Sequence, residues 1–209
     1  MEATQTCWLF VHGLGQTAAS WNQTLAFFGQ SHKCMCPELC ELAEGRAVDY
    51  PNLYNAFCKY CARLSQPLAL CGLSLGGVLC LHYAIEHPDR VRSLVLIAAQ
   101  YQMPKALLTF QNALFRFMPQ SMFAQTGFGK KNFLSLCKSM MALDFRGRLA
   151  DVRCPALVLC GERDRANQKA SRQLAELLPN ARLHILANAG HEINLDAPRE
   201  LASLLDLEA

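Results

Sequence analysis

The chain has 209 residues, 52% of them hydrophobic, with 20 basic and 17 acidic side chains giving a net charge of +3. That length supports one sizeable core rather than two, and the near balance of charge argues against a nucleic-acid partner. The opening MEATQTCWLFVHG lacks a basic region, a long apolar stretch and a small-residue cleavage site, and no apolar run approaches the roughly 20 residues of a membrane helix, so a cytoplasmic protein with no membrane span is expected.

The first run, TCWLFV at 6–11, is short and bulky and predicts a buried strand that ends in the glycine-bearing loop His12-Gly13-Leu14-Gly15. A helix is expected over 17–29 and a weak strand over 33–37. Another helix is expected over 51–64, begun by Pro51 and carrying Leu53, Ala56, Phe57, Tyr60 and Leu64 at helical spacing. The pattern then alternates: strand 67–71, helix 75–87 stopped by Pro88, strand 91–98, strand 156–160, helix 168–178, strand 183–187 and a last helix over 198–207. Strands that are mostly apolar throughout, separated by helix-length segments, predict an α/β fold: a mainly parallel sheet of about six strands flanked by helices.

Between 100 and 150 no strand pattern is visible, which marks 101–150 as a short helical cap inserted after the third of the fully apolar strands, with 1–100 and 151–209 forming the core. The insertion holds seven of the 11 phenylalanines and five of the seven methionines. It also carries Lys105, Arg116, Lys130, Lys131, Lys138, Arg146 and Arg148 against the single acid Asp144, a net +6 that leaves −3 for the rest of the chain.

Eleven cysteines require a reading. Cys7, Cys71 and Cys160 sit in apolar runs, where a free thiol behaves as a small hydrophobe. Cys34, Cys36, Cys40, Cys58 and Cys61 come nearest to metal-ligand spacing, but no paired knuckles or His-x-x-x-His accompany them, so no metal and no cofactor are expected.

The stretch CGLSLGG, 71–77, places one hydroxyl between glycines two residues away on either side. A strand ending at Gly72 and a helix beginning near Leu75 leave Ser74 at the apex of a sharp turn, where a positive φ is tolerable only if Gly72 and Gly76 remove β-carbons from the adjoining backbone. A serine hydroxyl is a weak nucleophile and needs a neutral imidazole oriented by a carboxylate. The chain offers Asp164 after the strand ALVLC and His191 after the strand LHILA, both at the strand ends where Ser74 lies. Glu162 competes with Asp164 for the acid. His32, His82, His87 and His184 read as structural or exposed, and Glu192 is expected to face solvent.

The order Ser, Asp, His, together with CGLSLGG, CGERD and GHEINLDAP, resembles the α/β-hydrolase superfamily over most of the chain, esterase-like in a compact form with a short cap. The resemblance implies Ser74 as nucleophile, His191 as general base, Asp164 as its orienting acid, and the backbone N–H groups of Leu14 and Leu75 as an oxyanion hole, with Gly13, Gly72 and Gly76 as elbow and loop glycines. It implies that the two antiparallel strands with which relatives commonly begin are missing. The sheet order, in the family's numbering, would be 4-3-5-6-7-8, with an edge open to a homodimer partner. PELCELAEGRAVDYP replaces the family's usual aspartate, glycine and serine segment after the fourth strand. The activity implied is cleavage of a small, largely apolar ester or thioester through an acyl-enzyme. A lyase resembling the menaquinone-pathway branch, and a non-catalytic ligand-binding protein on the same fold, are the alternatives.

Overall fold

The computed structural model describes residues 6–28, 32–45, 47–64, 67–103 and 115–207. Six strands, β1 (Cys7–Val11), β2 (Lys33–Met35), β3 (Leu68–Leu73), β4 (Val91–Ile97), β5 (Ala156–Gly161) and β6 (Ala181–Leu186), form one sheet in the order β2-β1-β3-β4-β5-β6. Every neighbouring pair is parallel, and the order is the one the resemblance implied.

The sheet is parallel because both of its faces are covered, and the sequence alternation shows how. Leu9, Val11, Leu68, Leu70, Leu94, Leu96, Ala156 and Val158 enter one core. Their neighbours Trp8, Phe10, Ala69, Cys71, Val95, Ile97, Leu157 and Leu159 enter the other. Each fully buried Leu or Phe contributes roughly 1.5–3 kcal/mol, so a one-residue slip in register would exchange the two faces of every strand at once.

The helices are α1 (Asn22–Phe27), α2 (Leu39–Leu42), α3 (Tyr50–Ala62), α4 (Leu75–Glu86), α5 (Gly129–Met140), α6 (Arg165–Leu177), α7 (Ile193–Asp196) and α8 (Pro198–Asp206). Asp49 caps α3 by accepting the Asn52 N–H at 2.9 Å, with Pro51 in the first turn, while α4 stops before Pro88 as expected. Two expectations shift. The helix expected over 17–29 is a 3-10 turn, Ala18–Trp21, followed by the short α1. α6 begins three residues earlier than its apolar spacing indicates, because its first turn is polar. One-turn helices α2 and α7 are too short to show a period.

In the segment 101–150, 104–114 lie outside the described residues. The two ends of the segment meet in an antiparallel bridge, Gln102 with Asp144, flanked by Met103 N–H to Leu143 O at 3.1 Å and Phe145 N–H to Tyr101 O at 2.8 Å. Beyond this neck lie a 3-10 helix at Gln120–Thr126 and α5. Phe123 and Phe133 pack edge to face, 5.1 Å between centroids, with Phe115, Met118, Cys137 and Leu14 around them. Phe128, Leu136, Met140 and Phe145 instead join the core on the α3 and α4 side of the sheet. Among the described residues no helix is long and apolar enough to cross a membrane.

Candidate active site

Ser74 stands between the end of β3 and the start of α4 with φ 52° and ψ −113°. Two hydrogen bonds hold the turn: Ser74 N–H to Ile97 O at 2.8 Å, and Val78 N–H to Ser74 O at 3.0 Å. The flanking glycines are there for space. A β-carbon on Gly72 would lie 2.4 Å from the carbonyl of Gly76, and one on Gly76 would lie 2.1 Å from Val11 O, backbone in both cases. The strand and helix can pass this close only without side chains, and that approach holds Ser74 in a conformation costing of order 1–3 kcal/mol. Leu75, as the first residue of α4, has an N–H with no acceptor inside the helix, beside the helix's positive end.

His191 and Asp164 arrive from the ends of β6 and β5. Gly161 makes this possible: a β-carbon there would fall 2.1 Å from Gly190 O and 2.4 Å from Ala189 O, so the loop after β6 lies directly on the end of β5. Asn188, at φ 57°, turns the loop and gives its N–H to Glu162 at 2.9 Å, while Gly190 N–H donates to Asp196 at 2.6 Å. His191 Nδ1 then lies 2.7 Å from Asp164 Oδ2. An ionised carboxylate only accepts, so Nδ1 carries the proton and Nε2 presents its lone pair. The ring is 42% exposed and the carboxylate 6%. Burial works to raise the Asp164 pKa, but hydrogen bonds from His191 and Asn167 outweigh it and hold the carboxyl below its ordinary value.

The loop after β1 completes the edge. A β-carbon on Gly13 would lie 3.6 Å from Ser74 Cβ, which puts this backbone beside the serine. His12 is buried. Its Nδ1 lies 2.9 Å from Gly13 O and its Nε2 accepts the Leu39 N–H at 3.2 Å, and burial pushes its pKa down, so it is a neutral brace between the loops that follow β1 and β2. Leu14 packs its side chain against the Phe123 and Phe133 cluster.

The structure thus joins His191 to Asp164 and brings the Gly13 loop to Ser74. Ser74 Oγ forms no hydrogen bond with the described residues. Glu162, the rival acid, is turned to Asn188. His82 stacks on Tyr54 with 3.7 Å between centroids, His32 on Phe28 and His87 beside Tyr83, while His184 lies on the exposed side of β6. Glu192 is exposed as expected, yet it also accepts a hydrogen bond from Gln16 Nε2 at 2.9 Å. Sequence reasoning missed Gln16, Asn167, Asn194 and Gly161. Among the described residues no group of three or more His, Cys, Asp or Glu side chains is arranged to hold a metal ion.

The fold, with these loop-borne groups at the carboxyl ends of the strands of one parallel sheet, defines an α/β protein. The sequence profile of the alpha/beta hydrolase family matches residues 8–204, and the chain belongs to that family. It is 27% identical over 187 residues to the pimeloyl-(acyl-carrier protein) methyl ester esterase of Chromobacterium violaceum, a match spanning 71% of this chain and 74% of that one. Further curated relatives are matched over about three fifths of their length. Among solved structures, the enol-lactonase from Burkholderia xenovorans LB400 superposes with a TM-score of 0.84 at 17% identity, covering 100% of this chain and 93% of that one. MenH from S. aureus gives 0.83 at 14% identity, covering 99% and 94%. At these identities the two structures attest the fold.

Proposed function

We propose that the protein is a serine hydrolase that cleaves an ester or thioester with a small, largely apolar acyl group. Ser74 is the nucleophile, His191 the general base and Asp164 the residue that fixes the base's tautomer. The observation that carries the reading is the 2.7 Å contact between His191 Nδ1 and Asp164, formed at the same sheet edge where a serine is held at positive φ.

In this mechanism His191 Nε2 takes the proton of Ser74 Oγ as the oxygen attacks the acyl carbonyl, and the imidazolium that forms is supported by the ionised Asp164. The oxyanion is met by the N–H groups of Leu14 and Leu75, the second backed by the N-terminus of α4. The imidazolium then protonates the leaving alcohol or thiol. Water, reaching the exposed face of His191, is activated by the same Nε2 and releases the acid. The aromatic cluster on which Leu14 packs supports an apolar acyl part.

The test is covalent labelling of Ser74 by a fluorophosphonate, read by intact mass, together with turnover of p-nitrophenyl esters from acetate to octanoate. Ser74→Ala and His191→Ala should each lose about 10³-fold or more in kcat. Absence of labelling on the wild-type protein ends the reading. Labelling without turnover of any ester or thioester would favour elimination, a reading that the seven basic side chains of 101–150 support for a carboxylate-bearing substrate.

A further inference from the structure

Asn167 lies in the first turn of α6, three residues after Asp164. Its Nδ2 reaches both Asp164 oxygens, each at 2.9 Å. Its Oδ1 accepts from Gln100 Nε2 at 2.7 Å. Gln100 immediately precedes the neck of the 101–150 segment, whose Tyr101 hydroxyl donates to Gln173 farther along α6 at 3.1 Å. The orientation of these amides follows from chemistry alone. An ionised carboxylate only accepts, so Asn167 turns its NH₂ toward Asp164, which leaves its oxygen facing Gln100 and obliges Gln100 to donate.

We infer, on the reading that Ser74, His191 and Asp164 act together, that Asn167 is a positioning residue holding the Asp164 carboxylate in the plane His191 requires, and that Gln100 sets which way round Asn167 sits. The root of the insertion is thereby tied to the catalytic acid through two side-chain amides. Asn167 also draws on the negative charge of Asp164. Removing it leaves more of that charge for the imidazolium, which moves the acid limb of activity to higher pH. The titratable groups facing Asp164 are the His191 ring and, from β5, the Cys160 thiol, which burial pushes up and keeps uncharged. Glu162 is turned to the Asn188 N–H, Arg163 to the Asn188 carbonyl and Glu192 to Gln16.

The test uses the full chain with p-nitrophenyl acetate. Asn167→Leu should lower kcat about tenfold with little change in KM, the size of one lost hydrogen bond to a charged group, and should raise the pH of the acid limb. Gln100→Glu is the sharper variant. A carboxylate there can only accept, so Asn167 must turn its NH₂ to it and its oxygen to Asp164, and kcat should fall further than in Gln100→Leu. The Nδ1 proton of His191, followed by NMR, should be lost or shifted in Asn167→Leu and Gln100→Glu and retained in Ser74→Ala. Unchanged kcat, acid limb and Nδ1 resonance in Asn167→Leu, or Gln100→Glu no worse than Gln100→Leu, overturns the inference. An inactive wild-type protein would instead count against the proposed hydrolase, and the NMR arm separates the two failures.

Discussion

The side-chain amides of Gln16 and Asn194 hydrogen-bond each other head to tail, Nε2 to Oδ1 at 3.2 Å and Nδ2 to Oε1 at 3.3 Å, although 178 positions separate them. Both residues are buried. Gln16 follows the loop that carries Gly13 and Leu14, and Asn194 follows the loop that carries His191, so this pair couples the proposed oxyanion loop to the proposed base. Asn194 is anchored further by its Nδ2 donating to Ser20 O at 3.1 Å and by its backbone carbonyl accepting from Thr24 Oγ1 at 3.3 Å.

Breaking the pair from one side strands the other amide in the core. Gln16→Leu or Asn194→Leu alone should therefore destabilise by about 1–3 kcal/mol, measured by urea unfolding. Each should also lower ester turnover more than it lowers binding, because the loops it joins carry the proposed catalytic groups. The two substitutions together should cost less than the sum of the single ones, since a leucine pair leaves no orphaned amide between those positions. Strict additivity would mean that the two amides do not act as a unit.

Crowding at the serine turn gives a prediction with its own control. Gly76→Ala would set a β-carbon 2.1 Å from Val11 O and 2.8 Å from His12 O, with only backbone available to move. It should cost at least about 3 kcal/mol or abolish soluble expression. Gly147→Ala meets nothing within 4 Å and should change stability by no more than about 0.5 kcal/mol. Thermal unfolding of the two variants distinguishes a glycine kept for space from one that is merely tolerated.

What the sequence reveals and what it hides follows from the range of each signal. β1, β3 and β5, and β4 beyond the exposed Arg92, are buried on both faces and read as apolar runs, so the strand-end placement of Ser74 and Asp164 is legible from local pattern, while β6 alternates in exposure and the order of the strands in the sheet is legible only through the family resemblance. The amide pair of Gln16 and Asn194 has no period, and neither residue's neighbours differ from those of an exposed polar residue. Only the position of Gln16 directly after the glycine loop hints at it. The α6 boundary is hidden because Asp164, at the position before the helix, turns its carboxylate to His191 rather than capping the helix, and because Arg165, Asn167 and Gln168 make the first turn polar. Asn167 sits three residues beyond that position, a spacing common to local capping contacts, and for that reason its reach to the carboxylate does not stand out.

The eleven thiols are free, seven of them buried, namely Cys7, Cys61, Cys71, Cys80, Cys137, Cys154 and Cys160. Burial raises their pKa values, with Cys154 pushed to about 11 and Cys137 to about 12, so little thiolate is present near neutral pH. Titration of the native protein with a disulfide reagent should leave these seven unreacted. Cys34, Cys36, Cys40 and Cys58, which are partly exposed, should react slowly, and all eleven should react in denaturant. Rapid modification of any of the seven in the native state would show a local opening that the packing of the two cores does not account for.

Stability should depend on pH through His12 and His82. Burial is the largest influence on both and lowers their pKa values, outweighing the Gly13 carbonyl and Glu38 at His12 and Glu86 at His82. In the unfolded chain both rings return to the ordinary value of 6.5. Above that pH neither state binds these protons and stability is complete. As pH falls through 6.5 the unfolded chain takes up protons that the folded protein refuses, so stability declines until the folded values are reached, by up to about 1.4 kcal/mol per pH unit for each proton. Asp164 acts in the same sense at lower pH: its contribution is present above 3.8 and is lost as pH falls through its depressed folded value. The urea midpoint should therefore be level from about pH 8 to 7 and fall between about 6.5 and 5, and His12→Gln should flatten part of that fall. Asp164 stays ionised across this interval, so a loss of stability there does not report its protonation. A midpoint that does not move between pH 7 and 5 would mean that the buried rings accept protons in the folded protein as readily as in the unfolded chain.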